Sequence, residues 1–272
     1  MRIAGRILLH AFLILIAAGM IFPMFWMILL SLREYPESFS GFMDLLTAPA
    51  TLGNYIGTLE SDAFDIYFLN SIIVALAVTA GNIVFCLFAG YALARRSFPG
   101  KALVFGTILG VLIIPPHIIM IPLYRLMVEL GWINTYYSLI IPWLVTPFGV
   151  FLVRQYIIAL PSEMEDAARI DGAGEWFVVF RIVMPLCKPI LTVLAIYVFL
   201  QNWNSFLFPY LFTNAEEFRT LPVGLTFYLG KQSIDWGHLM AGAGISALPV
   251  LILFVIFQRQ IIKGLTAGAL KE

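Results

Sequence analysis

The side chains able to do chemistry are sparse in this chain and, with one exception, scattered. His10, His117 and His238 lie far apart, and His117 has no Cys, Asp or Glu cluster near it, so metal-ligand spacing is absent. Cys86 and Cys187 make no CxxC pattern and read as free thiols, one in an expected helix and one at an expected helix end. The apolar runs carry no Ser/His pair, Asp pair or metal motif, which argues against an intramembrane protease. The phosphate-cradling GxxxxGK[ST] loop is missing as well, so the chain cannot itself be an ATPase of that type. The exception is Pro161–Pro189, where five of the sixteen acidic residues fall between Glu163 and Arg181. A long charged loop between greasy segments is suited to being gripped by another surface.

The elements that must position this loop follow from composition. Hydrophobic residues make up 61% of the chain and charged ones 12%, whereas a soluble domain carries about 25% charged residues. Several runs approach or exceed the roughly 20 apolar residues that cross about 30 Å of hydrocarbon. A β-barrel would instead show alternating segments of about ten residues. The expected fold is an all-α polytopic membrane protein, a single domain over residues 1–272. Six transmembrane helices are expected near 7–32, 68–93, 102–127, 135–153, 190–212 and 240–257. The first run follows Arg2 and Arg6 and outlasts the apolar core of a cleaved signal peptide, so it reads as a retained helix. Pro115, Pro116 and Pro122 interrupt the third span, Arg154 closes the fourth, and 31–67 and 213–239 read as polar loops.

The distribution of basic residues orients these spans. Twelve of the sixteen, including Arg95, Arg96, Lys101, Arg154, Arg169, Arg181 and Lys188, fall on the amino-terminal side, against Arg33, Arg125, Arg219 and Lys231 opposite. The positive-inside rule places both termini and Pro161–Pro189 in the cytoplasm. Every Asp and Glu falls in an expected loop or at a span end, which argues against a proton-coupled carrier with an ionisable relay at mid-depth. Asn82, His117, Asn202 and Asn204 are the polar groups that fit a translocation path; hydrogen bonding between helices is the plainer reading of each.

Within the charged stretch, Ser162-Glu-Met-Glu165 has the capping-box pattern, so a helix is expected to begin at Ser162. Glu165 and Arg169 stand at i,i+4 in the favourable order. Ala167 and Ala168 leave room for another backbone, and Gly172 suits the left-handed turn that ends a helix. A second helix, about 175–183, presents Trp176, Phe177 and Phe180 before Pro185 and Pro189 mark the return to the membrane. The residues alone leave two readings open: a hairpin lying on membrane lipid, or a docking element for a protein.

Glu165-Asp166-Ala167-Ala168-Arg169-Ile170-Asp171-Gly172-Ala173, followed by Phe180 and Ile182-Val183-Met184-Pro185, resembles the EAA loop of ABC-importer permeases. Asp166 stands where the motif's name residue is Glu, and Met184 where Leu is usual; charge and bulk are kept. Asn70-Ser71, Trp203-Asn204, Leu221-Pro222-Val223-Gly224-Leu225 and the tail from Gln258-Arg259 through Gly264-Leu265-Thr266 and Gly268-Ala269 to Lys271 are similar to the MalG-type, binding-protein-dependent carbohydrate permeases.

The resemblance implies a permease subunit with no cofactor of its own in the inner membrane of a bacterium or archaeon. Its implied partners are a second homologous permease, a dimeric cytoplasmic ATPase that holds ATP and Mg, an extracytoplasmic solute-binding protein, and membrane lipid. No nucleic acid is expected. The ATPase-coupling residues it implies are Glu165, Asp166, Ala167, Ala168, Asp171, Gly172, Ala173, Phe180 and Pro185. The tail is implied to reach between the ATPase subunits. Sugars, polyols and glycerol-phosphate-like solutes all remain open, and a stand-alone secondary carrier or channel is the alternative class.

Overall fold

A computed structural model describes residues 2–38, 41–60, 63–230 and 234–267. Its secondary structure is helical throughout the described residues: α1 Arg2–Ser31, α2 Phe42–Thr47, α3 Gly53–Glu60, α4 Phe64–Arg95, α5 Lys101–Ile113, α6 Pro116–Glu129, α7 Tyr136–Ile158, α8 Glu163–Ile170, α9 Glu175–Leu186, α10 Lys188–Trp203, α11 Leu207–Phe212, α12 Leu221–Leu225 and α13 Trp236–Ala267. Short 3-10 turns punctuate the loops at Pro36–Ser38, Glu216–Phe218 and Thr226–Leu229. Gly268, Ala269 and Lys271 of the tail lie outside the described residues.

Among the described residues, four helices are each long and apolar enough to cross a membrane: α1, α4, α7 and α13. Two bent pairs, α5 with α6 and α9 with α10, meet the same test when each is taken together. The span expected over 102–127 is therefore not one rod. It breaks by 96° between Ile113 and Pro116, because a proline lacks an N–H and drives the preceding residue out of helical geometry. The span expected over 190–212 ends at Trp203, with α11 following as a separate piece. Pro209 has no N–H to bond the carbonyl of residue 205, so the ladder cannot run through. Arg154 does not close its helix, which continues one turn to Ile158. Both expected polar loops hold short helices, α2 and α3 in the first and α12 in the second.

The chain divides into two compact units, Met1–Asp65 with Gly224–Val250, and Ile66–Val223 with Leu251–Glu272. In the first, Leu29, Leu30 and Leu45 form a small core with Trp26 and Met240, and Trp26 stacks on Phe42 at 5.8 Å. Arg33, in the first of the expected polar loops, is buried and donates from Nε to the carbonyl of Leu45 at 2.6 Å and from Nη2 to that of Leu46 at 3.1 Å. It thereby satisfies carbonyls that the end of α2 leaves open. Asn54 does the same for α1, donating to the carbonyls of Ser31 and Arg33.

The second unit carries the larger core, with α4, α7, α9 and α10 contributing Val78, Leu87, Val153, Ile157, Val178, Val183 and Leu194, all nearly or fully inaccessible. Helices in lipid gain no hydrophobic drive toward each other, so close contact between small residues has to hold them. Gly90 shows this: a Cβ there would lie 2.9 Å from the Val153 side chain and 3.0 Å from the Arg154 backbone. At one end of α4, Asn70 donates to the carbonyls of Glu217 and Arg219 and accepts from Tyr136, while Ser71 accepts from the amide of Leu221. The other end of α4 meets the charged stretch.

Candidate functional site

Pro161–Pro189 folds as two helices, α8 and α9, joined by a tight turn. The turn is a complete Schellman closure: Ala173 N–H bonds the carbonyl of Ala168 at 2.9 Å and Gly172 N–H that of Arg169 at 3.0 Å. Gly172 has φ +85°, the left-handed conformation its position requires. Ala168 and Ala173 are half-buried against the core, in the contact that usually accompanies this motif. The second helix runs to Leu186, three residues beyond its expected end, and carries a π-helical stretch from Val178 to Val183. Pro185 therefore sits within its last turn instead of ending it.

The start of α8 departs from its expected form. Ser162 is the N-cap, but its side chain makes no capping bond. The glutamate that should reach back to it, Glu165, is turned into the protein and is only 3% exposed. Its Oε1 accepts from Arg95 Nε at 2.7 Å, and Arg95 Nη2 donates to the carbonyl of Leu160 at 2.7 Å. A buried carboxylate needs a charged partner more than a helix end needs a second cap, so the ion pair wins.

Around that pair lies a network that joins three elements. Arg169 on α8 donates to Asp166 at 2.9 Å, to Glu175 on α9 at 3.2 Å, and to the Tyr91 hydroxyl on α4 at 2.9 Å. It also pairs with the second oxygen of Glu165 at 3.4 Å, the i,i+4 contact expected from the spacing. Tyr91 donates to Glu175, which is also paired with Arg96. Burial alone would lower the pKa of Arg169, but Tyr91, Asp166 and Glu165 outweigh it and hold it above its ordinary value. The aromatic face of α9 joins the same helix: Trp176 and Phe180 each meet the Phe88 ring edge-to-face, at 5.7 and 5.6 Å.

The expected coupling residues are thus spread over both sides of the hairpin. Glu165, Ala168 and Ala173 face the protein; Asp166, Ala167, Asp171, Gly172 and Pro185 face outward, and Phe180 is 45% exposed. Met164, Ala167 and Ile170, spaced by three, are all exposed on α8, and Ile170 reaches 86%. Tyr91, Arg95, Arg96 and Glu175 are the participants that sequence reading missed. Their signal was present as charge balance: Arg95, Arg96 and Arg169 match Glu165, Asp166 and Glu175 one for one.

The four expected path residues do not gather. Asn82 is fully buried, donating to the carbonyls of Val78 and Trp143 and accepting from Thr146, an interhelical clasp. His117 is exposed on the turn after Pro115. Asn202 and Asn204 spend their amide N–H groups on the carbonyls of Val198 and Leu200, on their own helix. Among the described residues, no group of three His, Cys, Asp or Glu is placed to hold a metal ion, and both cysteines are free and buried.

Residues 83–266, which include the whole hairpin, match the family model described as binding-protein-dependent transport system inner membrane component. The chain belongs to that family. It is a non-catalytic, inner-membrane permease subunit of an importer. It is 38% identical over 254 residues to the arabinooligosaccharide transport system permease AraQ of Halalkalibacterium halodurans, covering 92% of this chain and 91% of that one. It is 37% identical over 275 residues to the trehalose/maltose transport system permease MalG of Thermococcus litoralis, covering 99% and 98%. Its fold matches a chain of a bacterial ABC transporter that imports the acidic polysaccharide alginate, with a TM-score of 0.85 at 22% identity over 95% of this chain and 96% of that one.

Proposed function

We propose that this permease is one of two homologous membrane subunits that together form the passage of an ATP-driven importer for a sugar or related solute. It crosses the membrane six times, the two bent helix pairs each counting as one span, with both termini and the α8–α9 hairpin in the cytoplasm. The bias of basic residues supports that orientation. A dimeric cytoplasmic ATPase, with its ATP and Mg, grips the hairpin, and an extracytoplasmic binding protein delivers the solute. The solutes for which the relatives are named, arabinooligosaccharides and trehalose or maltose, support an oligosaccharide over an ion or a peptide.

The observation that carries this reading is the exposed apolar ridge of Met164, Ala167 and Ile170 on a helix whose opposite side is held to the end of α4 through Glu165 and Arg95. A soluble partner surface buries such a ridge, and small Ala167 lets it come close. Gly172, in open space with no atom within 4 Å of where a Cβ would sit, is accessible at the tip. His117 and Asn204, exposed within apolar segments, and half-exposed Asn202 are available to line the passage, whereas Asn82 serves as a helix clasp. The test is purification of the epitope-tagged chain from its native host in detergent. Recovery of a second permease and an ATPase, together with ATP-dependent uptake when the complex is reconstituted, is the expected result. Solute transport by this chain alone in ATP-free liposomes would overturn it.

A further inference from the structure

We infer that Arg95 and Glu165 are positioning residues that lock the α8 docking helix to the end of α4, so that the two move as one body when the ATPase closes. The inference rests on the functional reading above and adds a specific joint to it. Three observations carry it. The Glu165 carboxylate is nearly inaccessible, with 4% of the side chain exposed, and its main partner belongs to a helix seventy residues earlier. Arg95 reaches two points, the Glu165 carboxylate within α8 and the Leu160 carbonyl just before it, so it fixes direction as well as distance. The second ring of contacts, through Arg169, Tyr91, Glu175 and Arg96, ties α9 to the same end of α4.

The chemistry of the pair explains why an ionic lock stands where an apolar contact would hold as well. Replacing a buried ion pair by apolar side chains is often neutral for stability, so stability alone does not demand it. What the pair adds is direction: Glu165 accepts at a fixed angle and Arg95 spans two acceptors with a planar fork, which forbids sliding. An apolar contact between the same helices would allow α8 to slip along α4. Asp166 and Arg169 pair with each other within α8 at 2.9 Å, and Met164, Ala167 and Ile170 remain as its exposed docking surface.

The experiment places spin labels at Ser97→Cys, just beyond α4, and Glu163→Cys, at the start of α8, both exposed positions. The complex is purified with its partner permease and ATPase, and the label distance is compared without nucleotide and after trapping with Mg-ATP and vanadate. The expected result is the same distance in both states. In the double variant Arg95→Met/Glu165→Met, which leaves no unpaired buried charge, the distance is expected to broaden or shift by about 5 Å, one helical turn, on trapping. The stimulation of ATP hydrolysis by the binding protein should fall about tenfold in that variant. A complex that assembles and hydrolyses ATP overturns the lock if the native distance shifts on trapping. It does so equally if the double variant matches the native chain in distance and stimulation. A chain that never assembles with an ATPase overturns the functional reading beneath it as well.

Discussion

Glu165 Oε1 lies 2.7 Å from Arg95 Nε, a contact between a hairpin glutamate and the last residue of α4, an apolar helix seventy residues earlier in the chain. The two side chains are 4% and 15% exposed, and each takes its second partner from the protein, Arg169 for Glu165 and the Leu160 carbonyl for Arg95. The single variant Arg95→Ala removes the closer partner of the buried carboxylate and leaves it only Arg169 at 3.4 Å, which is expected to cost up to about 3–5 kcal/mol. Faster proteolytic cleavage within 161–189 in detergent would register it, and Arg95→Met/Glu165→Met should recover most of the resistance. Equal sensitivity of single and double variants would show that the charge is not the cause.

At Gly172 the strain of substitution is purely conformational, because its φ is +85° and a Cβ would meet nothing. Gly172→Ala should cost roughly 1–2 kcal/mol of hairpin stability, while Gly172→Asn, tolerant of the left-handed region, should cost less. Hydrogen exchange of the Ala173 amide, bonded to Ala168, reports it. Identical exchange in Ala and Asn variants would remove the conformational argument.

Gly90 contrasts with Gly110, where an added Cβ would meet no atom within 4 Å. Gly90→Leu must push α4 from the Val153–Arg154 segment of α7, and overpacking of this kind costs about 1–3 kcal/mol. Thermal unfolding of the purified protein should show a lower midpoint for Gly90→Leu and little change for Gly110→Leu. Similar midpoints would mean that the helices do not rely on this close approach.

Ile170→Ser should leave the fold intact, since the side chain is 86% exposed. If the ridge docks into the ATPase, the loss of a buried isoleucine, about 1.5–3 kcal/mol, weakens the complex roughly 10- to 100-fold. Recovery of the ATPase in a pull-down of titrated stringency measures this. Undiminished recovery would place the docking surface elsewhere on the hairpin.

On the far end of α4, Asn70 has both amide atoms engaged, with Tyr136 and with the carbonyls of Glu217 and Arg219. Asn70→Ala leaves those carbonyls without their donor, at a cost of about 1–3 kcal/mol. Cleavage of the 213–222 segment by added protease should accelerate several-fold. No change would mean that the loop is held by its other bonds, from Tyr67 to Glu216 and from the amides of Leu221, Asn214 and Ala215 to Ser71 and Asn134.

How much was legible in the chain depends on the range of the force involved. Apolar runs mark membrane helices because lipid requires every backbone group to be bonded within its own helix, a local condition. The Gly172 turn was legible for the same reason: a left-handed closure is decided within six residues. The breaks after Ile113 and Trp203 were underestimated, since a proline flags a disturbance without stating how far the helix turns. The capping box at Ser162 failed because a local pattern competed with a partner seventy residues away.

By itself, then, the sequence determined the helical membrane class, the polarity of its charges, the turn at Gly172 and the family motif, all set by short-range chemistry. Only the tertiary structure decided that Glu165 faces Arg95, that Asn82 clasps Trp143 and Thr146, and that Ile170, not Ala168, stands outward. Those outcomes depend on which helix faces which, and burial makes the choice: a charge or amide removed from water takes whichever partner the fold brings within about 3 Å.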